Sequence, residues 1–155
     1  MRAETAVTSA SVLLPRTGEP ARGVYRISTI DAHPHFQCSA ITAQEYDRLA
    51  DEAMDKLVTF FEDLGDGMDI DAFDVEYSQG VMTLILGDVG TYVVNKQPPN
   101  RQIWISSPIS GPERFDFSVD RNAWVCRKTS DTLGKLLERE LRDALAMADL
   151  AVPIK

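Results

Sequence analysis

Eleven carboxylates fall between Glu45 and Asp74: Glu45, Asp47, Asp51, Glu52, Asp55, Glu62, Asp63, Asp66, Asp69, Asp71 and Asp74. Arg48 and Lys56 are the only bases among them. The stretch accounts for the whole net charge of -8, and the rest of the chain is near neutral. Helix stability does not ask for this. Like charges four residues apart, as in Asp47/Asp51 and Asp51/Asp55, each cost roughly 0.2–0.5 kcal/mol. Only acids in the first turn gain from the helix dipole. Carboxylate oxygens suit hard cations such as Fe(III), Mg, Ca and Mn. Spread along an exposed helix they make no closed coordination sphere, so weak, multiple and hydrated binding is expected. The alternative is a solvated face with no ligand. An EF-hand is excluded because "DLGDGMDIDAFD" has no bidentate Glu at its twelfth position. A ferritin-like di-iron centre is excluded for want of Glu-x-x-His motifs.

A second feature lies in "TYVVNKQPPNRQIWISSP", from Thr91 to Pro108. Read with period two, Ile103 and Ile105 share one side of a strand, and Gln102, Trp104 and Ser106 the other. A tryptophan among amides and hydroxyls is either a docking anchor or a ring covered by a helix or loop.

The elements around these residues can be read from pattern. "TAQE" has the form of a capping box, with Thr42 as N-cap and Glu45 three residues on. From Thr42 to Leu64, Leu49, Ala53, Leu57, Phe60, Phe61 and Leu64 gather on one arc of a helical wheel. Asp47, Asp51, Asp55 and Glu62 gather nearly opposite, with Glu52 and Asp63 beside them. Gly65 and Gly67 are expected to end the helix. Six short extended segments follow: 73–77, 81–86, 91–95, 102–106, 114–117 and 123–127. Their short connections predict an antiparallel meander. A second helix begins near Ser130 or Asp131 as cap and runs through "TLGKLLERELRDALAMADL", with Leu133, Leu136, Leu137, Leu141, Ala144 and Leu145 as its apolar stripe. Two amphipathic helices and one antiparallel sheet predict an α+β two-layer sandwich, both helices on one sheet face and the other face in water. Trp124, on the last strand, is assigned to packing.

The chain has 155 residues and 44% apolar content, enough for one domain with a core. Residues 1–40 lack periodicity and are read as a flexible segment: Arg2, Arg16, Arg22 and Arg26 fit a transit-peptide remnant, Glu4 and Glu19 do not, and a plain disordered tail is the alternative. The domain is placed at 41–150 and a short tail at 151–155. His33 and His35 flank Pro34 and make a poor metal site. Cys38 and Cys126 are too far apart in sequence for a disulfide framework, which favours a reducing compartment. No apolar run reaches the ~18 residues of a membrane helix. The acidic balance argues against a nucleic-acid binder. No Ser/His/Asp set and no phosphate loop is present, which excludes ordinary hydrolytic and nucleotide chemistry.

Together the acidic helix ending in "FFEDL", then "GVMTL", "GTYVVNKQPPNRQIWISSPISGPERFD", an "AW" strand and a Leu-rich C-terminal helix closely resemble the frataxin family over about 42–150. The "GVMTL" and "NKQPPN" variants look like a eukaryotic, mitochondrial member. The resemblance implies the same helix–sheet–helix sandwich. It implies a mitochondrial-matrix protein of iron–sulfur cluster assembly that binds a cysteine desulfurase–scaffold complex and accelerates sulfur transfer. It implies weak binding of Fe(II) and Fe(III), with no organic cofactor. By position, the metal residues would be Asp47, Asp51, Glu52, Asp55, Glu62, Asp63 and Asp66. The partner-binding residues would be Asn95, Lys96, Gln97, Gln102, Trp104 and Arg114. Thr59 departs from relatives that carry an acid there, and 66–71 is arranged differently. Asn95 has a second reading, as the residue that fixes the turn into "KQPPN". Beside the activator and iron chaperone, two further functions stay open: a ferroxidase that oxidises Fe(II) with O₂, and a storage oligomer formed from the monomer with iron.

Overall fold

In the computed structural model the described residues are 41–155. The expectations for residues 1–40, including His33, His35 and Cys38, lie outside them. The elements are α1 (Ala43–Gly67), β1 (Phe73–Ser78), β2 (Val81–Leu86), β3 (Thr91–Gln97), β4 (Gln102–Ser107), β5 (Gly111–Ser118), β6 (Ala123–Cys126) and α2 (Leu133–Leu145). The strands form one antiparallel sheet in the order of the sequence. None of the described helices is long and apolar enough to cross a membrane.

The capping box is formed as the sequence implied. Thr42 Oγ1 accepts from Glu45 N at 3.2 Å, and Glu45 Oε2 accepts from Thr42 N at 2.8 Å. Those Thr42 donors lower the Glu45 carboxyl pKa. The buried stripe of α1 is Tyr46, Ala50, Ala53, Met54, Leu57 and Phe61. Leu49, Phe60 and Leu64, placed on this arc from the wheel, are only partly buried against the core. Gly65 does not end the helix, which continues to Gly67. Its role is close approach: a Cβ there would sit 2.3 Å from the Phe73 ring.

Strand parity divides the sheet into two faces. Met82, Leu84, Leu86, Tyr92, Val94, Ile103, Ile105, Phe115 and Phe117 point into the core with the helix stripes. Trp124 joins them, 3% exposed and edge-on to Tyr46 and Phe117. Burial of each such side chain contributes about 1.5–3 kcal/mol. Polar ties pin the layers as well. Tyr46 donates to the Gln102 carbonyl at 2.9 Å. The buried Glu140 of α2 accepts from Ser107 Oγ at 2.5 Å, and that Oγ accepts from the N–H groups of Ile109 and Ser110 in the next turn.

Three expectations change at the C-terminal end. Thr132, not Ser130 or Asp131, caps α2, accepting from Lys135 N at 3.2 Å. Asp131 pairs instead with Arg139 at 2.7 Å. The helix stops at Leu145, where Ala146 turns left-handed. Residues 151–155, read above as a tail, are built into the fold. Val152 and Ile154 are buried, Val152 N donates to Glu138 Oε1, and Trp124 N donates to the Lys155 carbonyl.

Two stability tests follow. A Cβ at Gly134 would lie 2.1 Å from the Ile154 carbonyl oxygen. Gly134→Ala should therefore cost about 1–3 kcal/mol and lower the calorimetric Tm by several degrees; an unchanged Tm would mean the terminal segment adds nothing. Burial raises the Tyr46 hydroxyl pKa to about 12, with Asp47 and Asp51 adding to it. The folded state keeps a proton that the unfolded chain releases near pH 10. That share of stability is complete below pH 10 and is lost as pH rises towards 12. Urea midpoints of the wild type should fall over this range, and Tyr46→Phe should fall less steeply.

Candidate functional site

The helix side of the molecule carries the acids. Asp47, Asp51, Glu52, Asp55, Glu62, Asp63 and Asp66 are all exposed, because the opposite stripe of α1 is spent on the core. They are not equivalent. Glu52 pairs with Lys56 at 2.7 Å and Arg48 at 3.5 Å, and Lys56 above all holds its carboxyl below the usual range. Asp51 pairs with Lys96, which reaches it from the sheet. Among the described ion pairs none involves Asp55, Glu62, Asp63 or Asp66. Asp55 and Asp63 line one surface hollow of about 460 Å³ with Thr59 and Phe60. No group of three or more His, Cys, Asp or Glu among the described residues is placed to hold a metal ion. The ridge is a row of hydrated carboxylates, suited to loose association with cations and not to a fixed coordination sphere.

Lys96 corrects the expected partner-binding set. It shares parity with Tyr92 and Val94, so it points to the helix layer, opposite Ile103 in the register. Desolvation works against its charge, but the hydrogen bond and charge of Asp51 outweigh that and raise its pKa. Tyr77, also on this side, stands near the same groups. Burial raises its hydroxyl pKa, Lys96 opposes this, and Asp51 and Asp55 add to it.

The other five residues stand on the open face. The register aligns Asn95, Trp104 and Arg114 across β3, β4 and β5, with Gln97, Gln102 and Asp116 in the row beside them. The Arg114 guanidinium lies 4.4 Å from the centre of the Trp104 ring, within cation–π range. Trp104 Nε1 donates to Gln102 Oε1 at 2.9 Å. Val81, 38% exposed, extends the Asn95–Trp104–Arg114 row towards β1. The face is therefore a partly exposed aromatic ring with a cation laid on it, amides around it and Val81 to one side. That composition is typical of an interface core. The sequence reading left out Asp116 and Arg127. Arg127 Nε donates to Asp116 Oδ2 at 2.8 Å, and Gln102 Nε2 donates to Asp116 Oδ1 at 3.1 Å. Their signal was the cross-strand register, which places Gln102 opposite Asp116.

A six-stranded antiparallel sheet between terminal helices, with an acidic ridge on one side and a polar aromatic face on the other, defines a frataxin-like domain. The sequence model of the Frataxin-like domain matches residues 39–147, and the chain belongs to that family. It is 51% identical over 105 residues to the mitochondrial frataxin of Arabidopsis thaliana, covering 68% of this chain and 56% of that one. It is 45% identical over 101 residues to the mitochondrial frataxin homolog of Schizosaccharomyces pombe, covering 65% and 64%. The chain thus spans between half and two thirds of the length of these two relatives. Among solved structures it is similar to trimeric frataxin from the yeast Saccharomyces cerevisiae in complex with ferrous ion, at 43% identity and a TM-score of 0.57, over 63% of this chain and 86% of that one.

If the unpaired acids hold cations, Asp55→Asn with Glu62→Gln should lower Fe(II) affinity several-fold in calorimetric titration. Thermal stability should hold or rise by a few tenths of a kcal/mol, because like-charge repulsion is relieved. Unaltered affinity would make the ridge a solvated face only.

Proposed function

We propose that this protein is an iron-binding regulator of iron–sulfur cluster assembly in the mitochondrial matrix. It docks its open sheet face on a cysteine desulfurase–scaffold complex and speeds sulfur transfer to the scaffold. One observation carries this reading: in a member of the frataxin family, Trp104 stands partly exposed on the face that no described helix covers, held between Gln102 and Arg114. Asn95, Gln97 and Gln102 offer hydrogen bonds around the ring, and the guanidinium is placed to meet a carboxylate. The mitochondrial location follows the names of the relatives. The acidic ridge lies on the far side of the sheet, so loosely held iron and a docked partner do not compete for one surface.

A second reading has its own support. The similar yeast structure is described as trimeric and in complex with ferrous ion. An assembly that brings several ridges together could hold Fe(II) closely enough for oxidation by O₂, which the dispersed acids of one chain do not favour.

The test is desulfurase turnover on its scaffold with and without the protein. Wild type should stimulate it. Trp104→Ala should lose on the order of 30-fold in potency, the size of a single interface hot spot, while melting and Fe(II) binding stay near wild type. Equal stimulation by both would remove the docking role. No stimulation by either folded protein would shift the weight to Fe(II) oxidation.

A further inference from the structure

An indole offers one donor and no acceptor, and a carboxylate offers only acceptors. Gln102 stands between the two kinds of group. Its Oε1 accepts from Trp104 Nε1 at 2.9 Å, and its Nε2 donates to Asp116 Oδ1 at 3.1 Å. The partners fix which way the amide faces, and neither Glu nor Leu could serve both. Beyond it, Asp116 accepts from Arg127, Nε to Oδ2 at 2.8 Å and Nη2 to Oδ1 at 3.4 Å. The chain of bonds therefore crosses β4 and β5 and reaches Arg127, just past β6. The Asp116 side chain is only 13% exposed, whereas that of Arg127 is 69% exposed. Both line a hollow of about 330 Å³ beside the ring, with Gln102, Arg114 and Cys126.

We propose that Asp116 and Arg127 are positioning residues for docking. They hold the Gln102 amide, the amide holds the indole in one orientation, and the oriented ring gives Arg114 a flat seat. An anchor already held in one rotamer loses less freedom on binding, so the relay raises affinity without either residue having to touch the partner. The inference rests on the docking role of Trp104 proposed above.

The chain contains two tryptophans, so ¹⁵N-labelled protein gives two indole N–H signals, told apart with Trp104→Phe. In Asp116→Ala and in Arg127→Ala the Trp104 signal should move and exchange faster with water, while that of the buried Trp124 stays in place. Asp116→Asn keeps an acceptor for Gln102 and should restore most of the Trp104 signal. The protein concentration for half-maximal stimulation of the desulfurase–scaffold complex should rise about threefold to tenfold in Asp116→Ala and return towards wild type in Asp116→Asn. A Trp104 signal unmoved in both alanine variants would overturn the relay. A moved signal with unchanged half-maximal concentration would overturn the positioning role. Should Asp116→Ala not fold, Arg127→Ala carries the same readouts from an exposed site. Full stimulation by Trp104→Ala would sink the docking reading, while the indole signals still judge the relay independently.

Discussion

Each strand of this sheet gives alternate side chains to the helices, and the remaining features depend on that division. The stripe Tyr46, Ala50, Ala53, Met54, Leu57 and Phe61 has to be covered, and one sheet face covers it together with α2. Among the described residues, that leaves α1 with its other side exposed and the sheet with no helix on its second face. The acids occupy the first surface and Trp104 the second. Neither is a defect of packing. Both are what remains when two amphipathic helices bury their stripes on the same side of one sheet.

The electrostatics follow from this arrangement and are only partly balanced. Arg48 and Lys56 neutralise Glu52 along the helix, and Lys96 reaches through from β3 to Asp51. Among the described residues, the carboxylates towards the C-terminal end of the ridge form no ion pair. A chain selected for stability alone would intersperse lysines there, because exposed like charges along a helix repel. The open face shows the opposite economy. The charges beside the ring are paired or stacked, Asp116 with Arg127 and Arg114 on Trp104, so the ring stands among groups already held in place.

Much of this was legible in the sequence because it follows from local rules. The Thr42–Glu45 capping box, the two-residue alternation of Gln102–Ser106 and the leucines of α2 each point to one structure by spacing alone. Lys96 was grouped with Asn95 and Gln97 by position in the family resemblance, which takes no account of strand parity. Parity sends it inward, and only an acid 45 positions away makes that tolerable. The α2 cap was assigned to Ser130 or Asp131 because either could serve; Thr132 takes the role, and Asp131 pairs with Arg139. The end of the chain resembled a tail because "AVPIK" has no period, yet two of its side chains complete the core. The Gln102–Asp116–Arg127 relay depends on register between strands, which spacing within a strand does not reveal.

A six-stranded meander has two free edges, and an unguarded edge invites another strand to add to it. This fold protects them by different means. At β6 the outward backbone groups are already used: Trp124 N donates to the Lys155 carbonyl, Cys126 N to the Asp131 carbonyl, and Val125 forms a bridge with Thr132. At β1 protection comes from charge. Asp74 and Glu76 are exposed on that strand, so a second copy approaching edge to edge would meet its own acids. Extension of the sheet at its edges is thus opposed, while the face that carries Trp104 stays open.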